Sequence, residues 1–463
     1  MGLNRRTFLF GSLAAPLGAQ RRGGRSAPPE RPNILLIVAD DLASWMLGCY
    51  GNKEIRTPHI DQLARSGVRF LNNYVCTPIC SASRATLFTG RTPRQHGVEC
   101  FLTPNPIADP PQGQKEPPSS FRNEVMISDL LAGAGYSCGY VGKWHMGDDR
   151  TPQHNHNFWY TMLGGSTRYQ DPTMSWNGEL VEEKGYLTEL MTAKACQFLD
   201  QQQADKPFFL TVSYFNPHTP YTGHPDKYFR MYENTPFTTT GWQPPAENAL
   251  REKSYLSDIV GNLRLCAAST TALDDQIPVL LRKLSERGMR ENTLVIFTSD
   301  NGYLLGRHGL WSKGLASHPI NMYEEVMQVP MIWSWLGKIP VEATRPELIS
   351  FYDVMPTLCD VTGVPVPAGR KLPGRSYRAL VQGRQLPKNA PWPTTVFGVF
   401  RNTEMARDPR YKLVLRDRGA SPGEFYDLAR DPGEQANEYE NPRYLVARQR
   451  LIEELAAWRK EYA

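Results

Sequence analysis

Short, mostly apolar runs in this chain stop abruptly at polar residues. Ile34–Val38 runs into Asp40-Asp41, and Ser137–Val141 into Lys143 and His145. Phe208–Val212 leads towards Asn216 and His218, and Leu294–Thr298 into Asp300-Asn301. None of these runs alternates apolar with polar positions, so they read as strands buried on both faces, as in a parallel sheet. Helical periodicity fills the gaps. Thr57-Pro58 opens one helix through Ile60, Leu63 and Ala64, with Thr57 as cap and Pro58 in the first turn. Others cover roughly 123–134, 186–203, 251–287 and 351–362.

Strands alternating with helices predict an α/β fold with a large, mostly parallel or mixed sheet sandwiched by helices. The proline-rich segment Thr103–Ser120 reads as a loop, either rimming a pocket or lying on the surface. Beyond Ala379 the pattern changes. Strand-like pieces at Thr394–Phe400 and Tyr411–Leu415 lead to an amphipathic helix near 442–460. The expected organisation is residues 1–30 as leader and spacer, 31–380 as the main domain, and 381–463 as a smaller α+β subdomain. No internal repeat is visible.

Composition narrows the class. The 463 residues are 40% hydrophobic and 21% charged, with net charge +5, as in an ordinary globular enzyme. Basic residues are scattered outside the N-terminal region, so no nucleic-acid surface is expected. The opening MGLNRRTFLFGSLAAPLGAQ has charged, apolar and small-residue regions in the order of an export signal. Its Arg5-Arg6 pair suggests the twin-arginine machinery, hence a periplasmic or extracellular protein. An uncleaved anchor or a simple tail is the alternative, although the apolar run is short for a membrane span. Of eight cysteines, Cys138, Cys196, Cys266 and Cys359 sit in apolar or helical patterns and read as small core residues. Cys76 and Cys80 lack the spacing and the second pair that structural zinc needs.

Ligands of open α/β sheets bind beyond the carboxyl ends of the strands. Here four predicted strands deliver chemistry at that end. Asp40, Asp41, Asp300 and Asn301 offer oxygen ligands alone, which suits calcium or magnesium rather than zinc or copper. Arg84, Lys143, His145, His218 and Lys313 follow the same elements, and cations beside a metal predict a sulfated or phosphorylated substrate. Taken singly, each has a plain structural reading. The Asp and Asn pairs are common in turns, the lysines on surfaces, and the histidines in satisfied cores. Cys80 itself reads as a metal ligand, half of a disulfide, a thiol nucleophile, or the precursor of something else.

The motifs resemble the formylglycine-dependent sulfatases of the alkaline-phosphatase superfamily. The signature is Cys80-Ser81-Ala82-Ser83-Arg84 followed by Thr89-Gly90-Arg91. It continues in Gly142–Gly147, Asn216-Pro217-His218, Ser299–Gly302, Gly306–Gly314, Tyr323-Glu324-Glu325 and Phe425–Leu428 with Asp431-Pro432. The resemblance covers residues 31 to 440 and implies an alkaline-phosphatase-like fold. It implies that a maturation enzyme oxidises Cys80 to formylglycine, whose hydrate attacks sulfur and then expels sulfate with the help of its second hydroxyl. Asp40, Asp41, Asp300 and Asn301, with residue 80, would hold a divalent cation, calcium in most of the family. Arg84 would polarise the hydrate, and Lys143 and Lys313 would grip sulfate. His145 would take the proton that drives sulfate release, and His218 would bind sulfate or protonate the leaving oxygen, together with Lys313.

Two positions depart from the family pattern. Ala82 stands where proline is commonest, which bears on the maturation system. His154-Asn155-His156-Asn157 stands where many relatives have a Gly-Phe-Asp-type segment, and reads either as leaving-group contact or as a hydrogen-bonded loop. The expected activity is a sulfuric-ester hydrolase, with export and 11% aromatic residues pointing to a sulfated carbohydrate. The alternatives are an aryl or alkyl sulfatase, a phosphonate or phosphate diester hydrolase, and a non-catalytic carbohydrate-binding relative.

Overall fold

Apolar runs free of alternation demand cover on both sides, and the fold supplies it. The computed structural model describes residues 31–102, 119–203, 205–386 and 389–462. Its strands in chain order are β1 (Asn33–Ala39), β2 (Val68–Tyr74), β3 (Ser137–Lys143), β4 (Phe158–Met162), β5 (Thr173–Trp176), β6 (Glu179–Glu182), β7 (Phe208–Ser213), β8 (Thr293–Ser299), β9 (Met331–Ser334) and β10 (Ala343–Ser350). They form one ten-stranded sheet in the order β10-β2-β9-β8-β1-β7-β3-β4-β5-β6. Every residue of β1, β3, β7 and β8 is buried. These four strands are parallel neighbours, with Ala39 opposite Ser299, Val38 opposite Ser213, and Gly142 opposite Ser213. The sheet is mixed, because β9 runs antiparallel to β8 and β2, and β5 is antiparallel to β4 and β6.

Two helix groups flank the sheet. Helix α1 (Pro58–Arg65) packs with Ile259–Asp274 and Ile277–Glu286, and the latter also meets Leu187–Asp200. Helix α2 (Cys80–Thr89) packs with Ile127–Gly133 and Val354–Thr362. All of α2 is buried, so it is embedded rather than laid on a surface. Beyond the large sheet, β11 (Val396–Phe400), β12 (Thr403–Arg407), β13 (Tyr411–Arg416) and β14 (Ser421–Asp427) form an antiparallel sheet. The helix Leu445–Tyr462 covers it through a separate apolar cluster that includes Leu413, Phe425, Leu451, Leu455 and Trp458.

Several local expectations change. The periodicity over 251–287 is two helices, Ile259–Asp274 and Ile277–Glu286, after a 3-10 turn at Lys253–Asp258. Pro278 explains the break, because it sits in the first turn of the second helix, where its missing N–H costs nothing. Thr57 precedes α1 but its side chain does not cap it. Its Oγ1 accepts from Gly48 N (2.9 Å) and donates to Asp61 (3.2 Å). The free amides of His59 and Ile60 donate instead to the Asp274 carboxylate at 3.1 and 2.7 Å. Cys196 is half-buried rather than a full core residue. The leader at 1–30 and most of the proline-rich stretch, 103–118, lie outside the described residues; Ser119–Arg122 forms a helical turn. No described helix is long and apolar enough to cross a membrane.

Candidate active site

Strands β8, β1, β7 and β3 are parallel neighbours, so their carboxyl ends open on one edge of the sheet. Asp40 N donates to Asn216 O (3.0 Å) and Asp300 N to Ala39 O (3.1 Å), extending the ladder by one residue. Asp41 then turns the chain with φ 67°, a left-handed conformation that Asp tolerates better than most residues. Its N–H donates to Asp300 Oδ1 at 3.2 Å, and Leu42 N donates to Ser299 Oγ at 2.9 Å. At the end of β3, Gly142 has φ 109° and a Cβ there would lie 1.9 Å from Ser213 O. Only glycine allows β3 to approach β7 this closely before delivering Lys143.

Helix α2 brings Cys80 to the same edge. Ile79 caps it without a side-chain hydrogen bond, so the first amides of α2 are available to an anion. Cys80 Sγ lies 3.7 Å from Asp40 Oδ1 and 2.8 Å from Lys313 Nζ. One turn on, Arg84 is fully buried and locks the corner. Its Nε donates to Asp300 Oδ2 (2.9 Å) and its Nη1 to Lys143 O (2.7 Å) and Ser213 Oγ (2.6 Å). Its Nη2 stands 3.9 Å from Asp40 Oδ1. Lys143 Nζ meets Asp40 Oδ2 at 2.6 Å, and Lys313 Nζ donates to Asp41 Oδ1.

Charge crowding shifts the carboxyls apart. Burial, and then the neighbouring Asp300, push Asp40 up to about 7 despite Lys143. Asp300 is also buried, but Arg84, Lys143 and Lys313 outweigh that and hold it below the usual carboxylate range. Asp40, Asp41 and Asp300 each offer an oxygen within 4.8 Å of the others. Asn301 donates through Nδ2 to Asp41 Oδ1 at 2.6 Å, while its buried Oδ1 has no hydrogen-bond partner. Carboxylates under mutual repulsion, plus an unpaired amide oxygen, fit a hard divalent cation.

Both histidines are neutral near pH 7. Burial and then Lys143 hold His145 well below its ordinary value. Burial and Lys143 likewise lower His218, to about 3, against the pull of Asp41. His145 Nε2 donates to Leu102 O at 2.9 Å, which leaves the lone pair on its buried, unpartnered Nδ1. His218 Nδ1 donates to Thr219 O at 2.5 Å, leaving Nε2 3.7 Å from Asp41 Oδ2. Burial pushes the Cys80 thiol up to about 12 against Lys143 and Lys313, so the encoded side chain is no thiolate at neutral pH.

The structure thus brings together all ten residues expected from the sequence. A cavity of about 420 Å³ opens onto Asp41, Cys80, His145, His218 and Lys313, and is further lined by Phe101, Leu102, Leu163–Ser166, Arg251, Glu252 and Ser312. Gly164-Gly165 carried a turn signal in the sequence, whereas Glu252 carried none. His154 and His156 are not part of the cavity. His154 pairs with Asp129 at 2.9 Å, His156 with Gln153 O at 2.7 Å, and both pack against Trp144. They form the hydrogen-bonded loop.

Comparison with known proteins identifies the family. The sulfatase family matches residues 32–364, and the C-terminal region of N-sulphoglucosamine sulphohydrolase matches residues 306–461. An N-acetylglucosamine-6-O-sulfatase of Bacteroides thetaiotaomicron is 25% identical, covering 97% of this chain and 91% of its own. The human N-acetylgalactosamine-6-sulfatase is 29% identical over 78% of this chain and 68% of its own. A solved structure in complex with its substrate D-glucosamine-2-N,6-O-disulfate shares the fold, with TM-score 0.76, 23% identity, and coverage of 93% and 98%. A phosphonate monoester hydrolase of Agrobacterium radiobacter also shares the fold, with TM-score 0.70, 20% identity, and coverage of 94% and 96%. With the family matched over most of the chain, the chain belongs to the sulfatase family and is a sulfuric-ester hydrolase.

Proposed function

We propose that this protein removes sulfate from a sulfated saccharide, using a formylglycine made from Cys80 and a divalent cation, calcium in first place. The observation that carries this is the placement of Cys80. It stands at the N-terminus of a buried helix, between Lys313 and Asp40, at the floor of the cavity. The names of the relatives, an N-acetylglucosamine-6-O-sulfatase and an N-acetylgalactosamine-6-sulfatase, support a sugar as the leaving group.

Asp40, Asp41, Asp300 and Asn301 would hold the cation, whose contribution is to polarise the sulfate and the attacking oxygen. The hydrated aldehyde contributes an oxygen nucleophile with a second hydroxyl beside it. The remaining work falls to the encoded side chains. Arg84, Lys143 and Lys313 place three positive charges around the point where sulfate charge shifts. His145, with its Nδ1 lone pair free, takes a proton and so permits release of sulfate. An arriving anion raises the proton affinity of His218, which then protonates the leaving alcohol together with Lys313. Arg5-Arg6 and the apolar run after them support export by the twin-arginine machinery to the periplasm or beyond.

Protein made beside a formylglycine-generating maturation enzyme tests this reading. Mass spectrometry of the peptide holding residue 80 should show loss of hydrogen sulfide and gain of oxygen. The preparation should release sulfate from sulfated monosaccharides, and Cys80→Ala should abolish release while folding normally. A chain that keeps its thiol and still turns over at full rate refutes the aldehyde. Fractionation of cells carrying Arg5→Lys with Arg6→Lys tests export, since continued export at the normal level would rule out the twin-arginine route.

A further inference from the structure

The cavity holds a carboxylate that neither the cation site nor the sulfate machinery uses. Glu252 lines the same cavity as Cys80, His218 and Lys313. Its backbone is left-handed, with φ 56°, a conformation that disfavours a non-glycine residue. Side-chain contacts fix the carboxylate at two points. Tyr303 OH donates to Oε2, and Thr219 Oγ1 donates to Oε1 at 3.4 Å. Tyr303 lies two residues after Asn301 and Thr219 directly after His218, so Glu252 is tied to the site's frame rather than to a free loop. A carboxylate has about four lone-pair positions. The Thr219 contact is long, which leaves Oε1 with capacity for a stronger donor.

The wall beside it differs in character. Arg251 lies with its guanidinium 5.2 Å from the ring centre of Phe101, and Phe101 and Leu102 also face the cavity. An acceptor next to an apolar, aromatic face matches a polyhydroxylated ring better than a flat aryl or an alkyl group.

Resting on the sulfatase reading above, we infer that Glu252 is a specificity residue that accepts a hydrogen bond from a hydroxyl of the alcohol part of the substrate. The site therefore selects sulfate esters of sugars whose ring carries a free hydroxyl beside the ester. Glu252 forms no bond to sulfate in this scheme, because a carboxylate repels it. Its effect falls on substrates that offer a hydroxyl and spares those that do not.

The experiment compares formylglycine-loaded wild type, Glu252→Gln and Glu252→Ala on a panel of monosulfated galactose and N-acetylglucosamine isomers and on 4-nitrophenyl sulfate. The readout is the ratio of kcat/KM on the best sugar to kcat/KM on the aryl ester. Loss of a hydrogen bond to a charged acceptor predicts that Glu252→Ala lowers this ratio by about 10- to 100-fold, mainly through KM. Glu252→Gln keeps an acceptor oxygen and should fall between. The aryl ester is the internal check on folding. A ratio within about twofold of wild type in both variants overturns the inference. So does a wild type that cleaves the aryl ester and no sugar on the panel. A wild type that cleaves neither, with formylglycine present, overturns the sulfatase reading first and this inference with it.

Discussion

The amide of Asn301 donates to Asp41 Oδ1 at 2.6 Å while its own buried carbonyl oxygen meets no donor. A buried acceptor left without a partner costs roughly 1–3 kcal/mol. Burial, and then the carboxylates crowded beside it, push Asp40 up to about 7. Both costs disappear when a divalent cation binds. Calcium added to EDTA-treated protein is therefore expected to raise Tm by a few degrees once it exceeds its Kd many-fold. Asn301→Ala should shrink that rise and cut turnover at least about tenfold. Differential scanning calorimetry with and without calcium decides it. An equal calcium shift in wild type and variant would remove Asn301 from the ligand set.

Gly165 faces the ring of His145. A Cβ at this position would lie 2.4 Å from His145 Cε1 and 2.6 Å from Nε2, inside any permitted contact. The imidazole would have to swing away and lose its bond to Leu102 O. Gly165→Ala is therefore expected to lower kcat by about 10²-fold or more, the range of a displaced proton acceptor, with only a small change in Tm. Sulfate release and a melting curve on the same preparation check both halves. Wild-type kcat in a folded Gly165→Ala protein would show that His145 need not hold this position.

Most of the residues proposed to hold cation and sulfate are legible because they are announced locally. An apolar run of the length of one strand ends in Asp40-Asp41, in Lys143, or in Asp300-Asn301, and neighbouring parallel strands must bring those ends together. Other features depend on distant partners and leave no local trace. Glu252 sits in an irregular polar stretch and is positioned by Tyr303, 51 residues away. The helix α1 is capped by Asp274, 214 residues from Ile60, so Thr57 looked like the cap. Strand β12 hid behind charge, since Glu404 and Arg407 are buried in it through ion pairs. Strand β14 carries Pro422 and Gly423, two residues that weaken a strand pattern.

Asp274 makes that long-range cap sensitive to pH. Burial raises its carboxyl from 3.8 to about 7, against the pull of the Ile60 and His59 amides and with help from Asp61 and Asp275. Its pKa is higher in the folded state than in the unfolded one. The associated stability is complete below the unfolded value and fades as pH rises towards the folded one. Asp274→Asn keeps an acceptor oxygen without the titration. The variant should therefore gain on wild type as pH climbs from about 4 to about 7, by at most about 1.4 kcal/mol per pH unit. Urea unfolding at several pH values measures the difference. A wild-type to variant gap that stays constant over this range would sink the assignment.

Glu404 on β12 fastens the C-terminal helix to the main body. It is 1% exposed and accepts from Arg94 Nη1 at 2.7 Å and from Arg459 Nε at 2.9 Å. Arg94 belongs to the turn after α2, and Arg459 to the helix Leu445–Tyr462. One buried carboxylate thus neutralises two guanidiniums from separate elements. Removing it leaves both cations facing each other in a partly buried site, and breaking a buried pair from one side costs about 3–5 kcal/mol. Glu404→Leu should approach that loss in urea unfolding, and limited proteolysis should release the C-terminal helix first. Adding Arg459→Leu to Glu404→Leu removes one of the stranded charges and should recover part of the loss. A single variant within about 0.5 kcal/mol of wild type, or a double variant less stable than the single, would show that packing around Trp458 holds the helix instead.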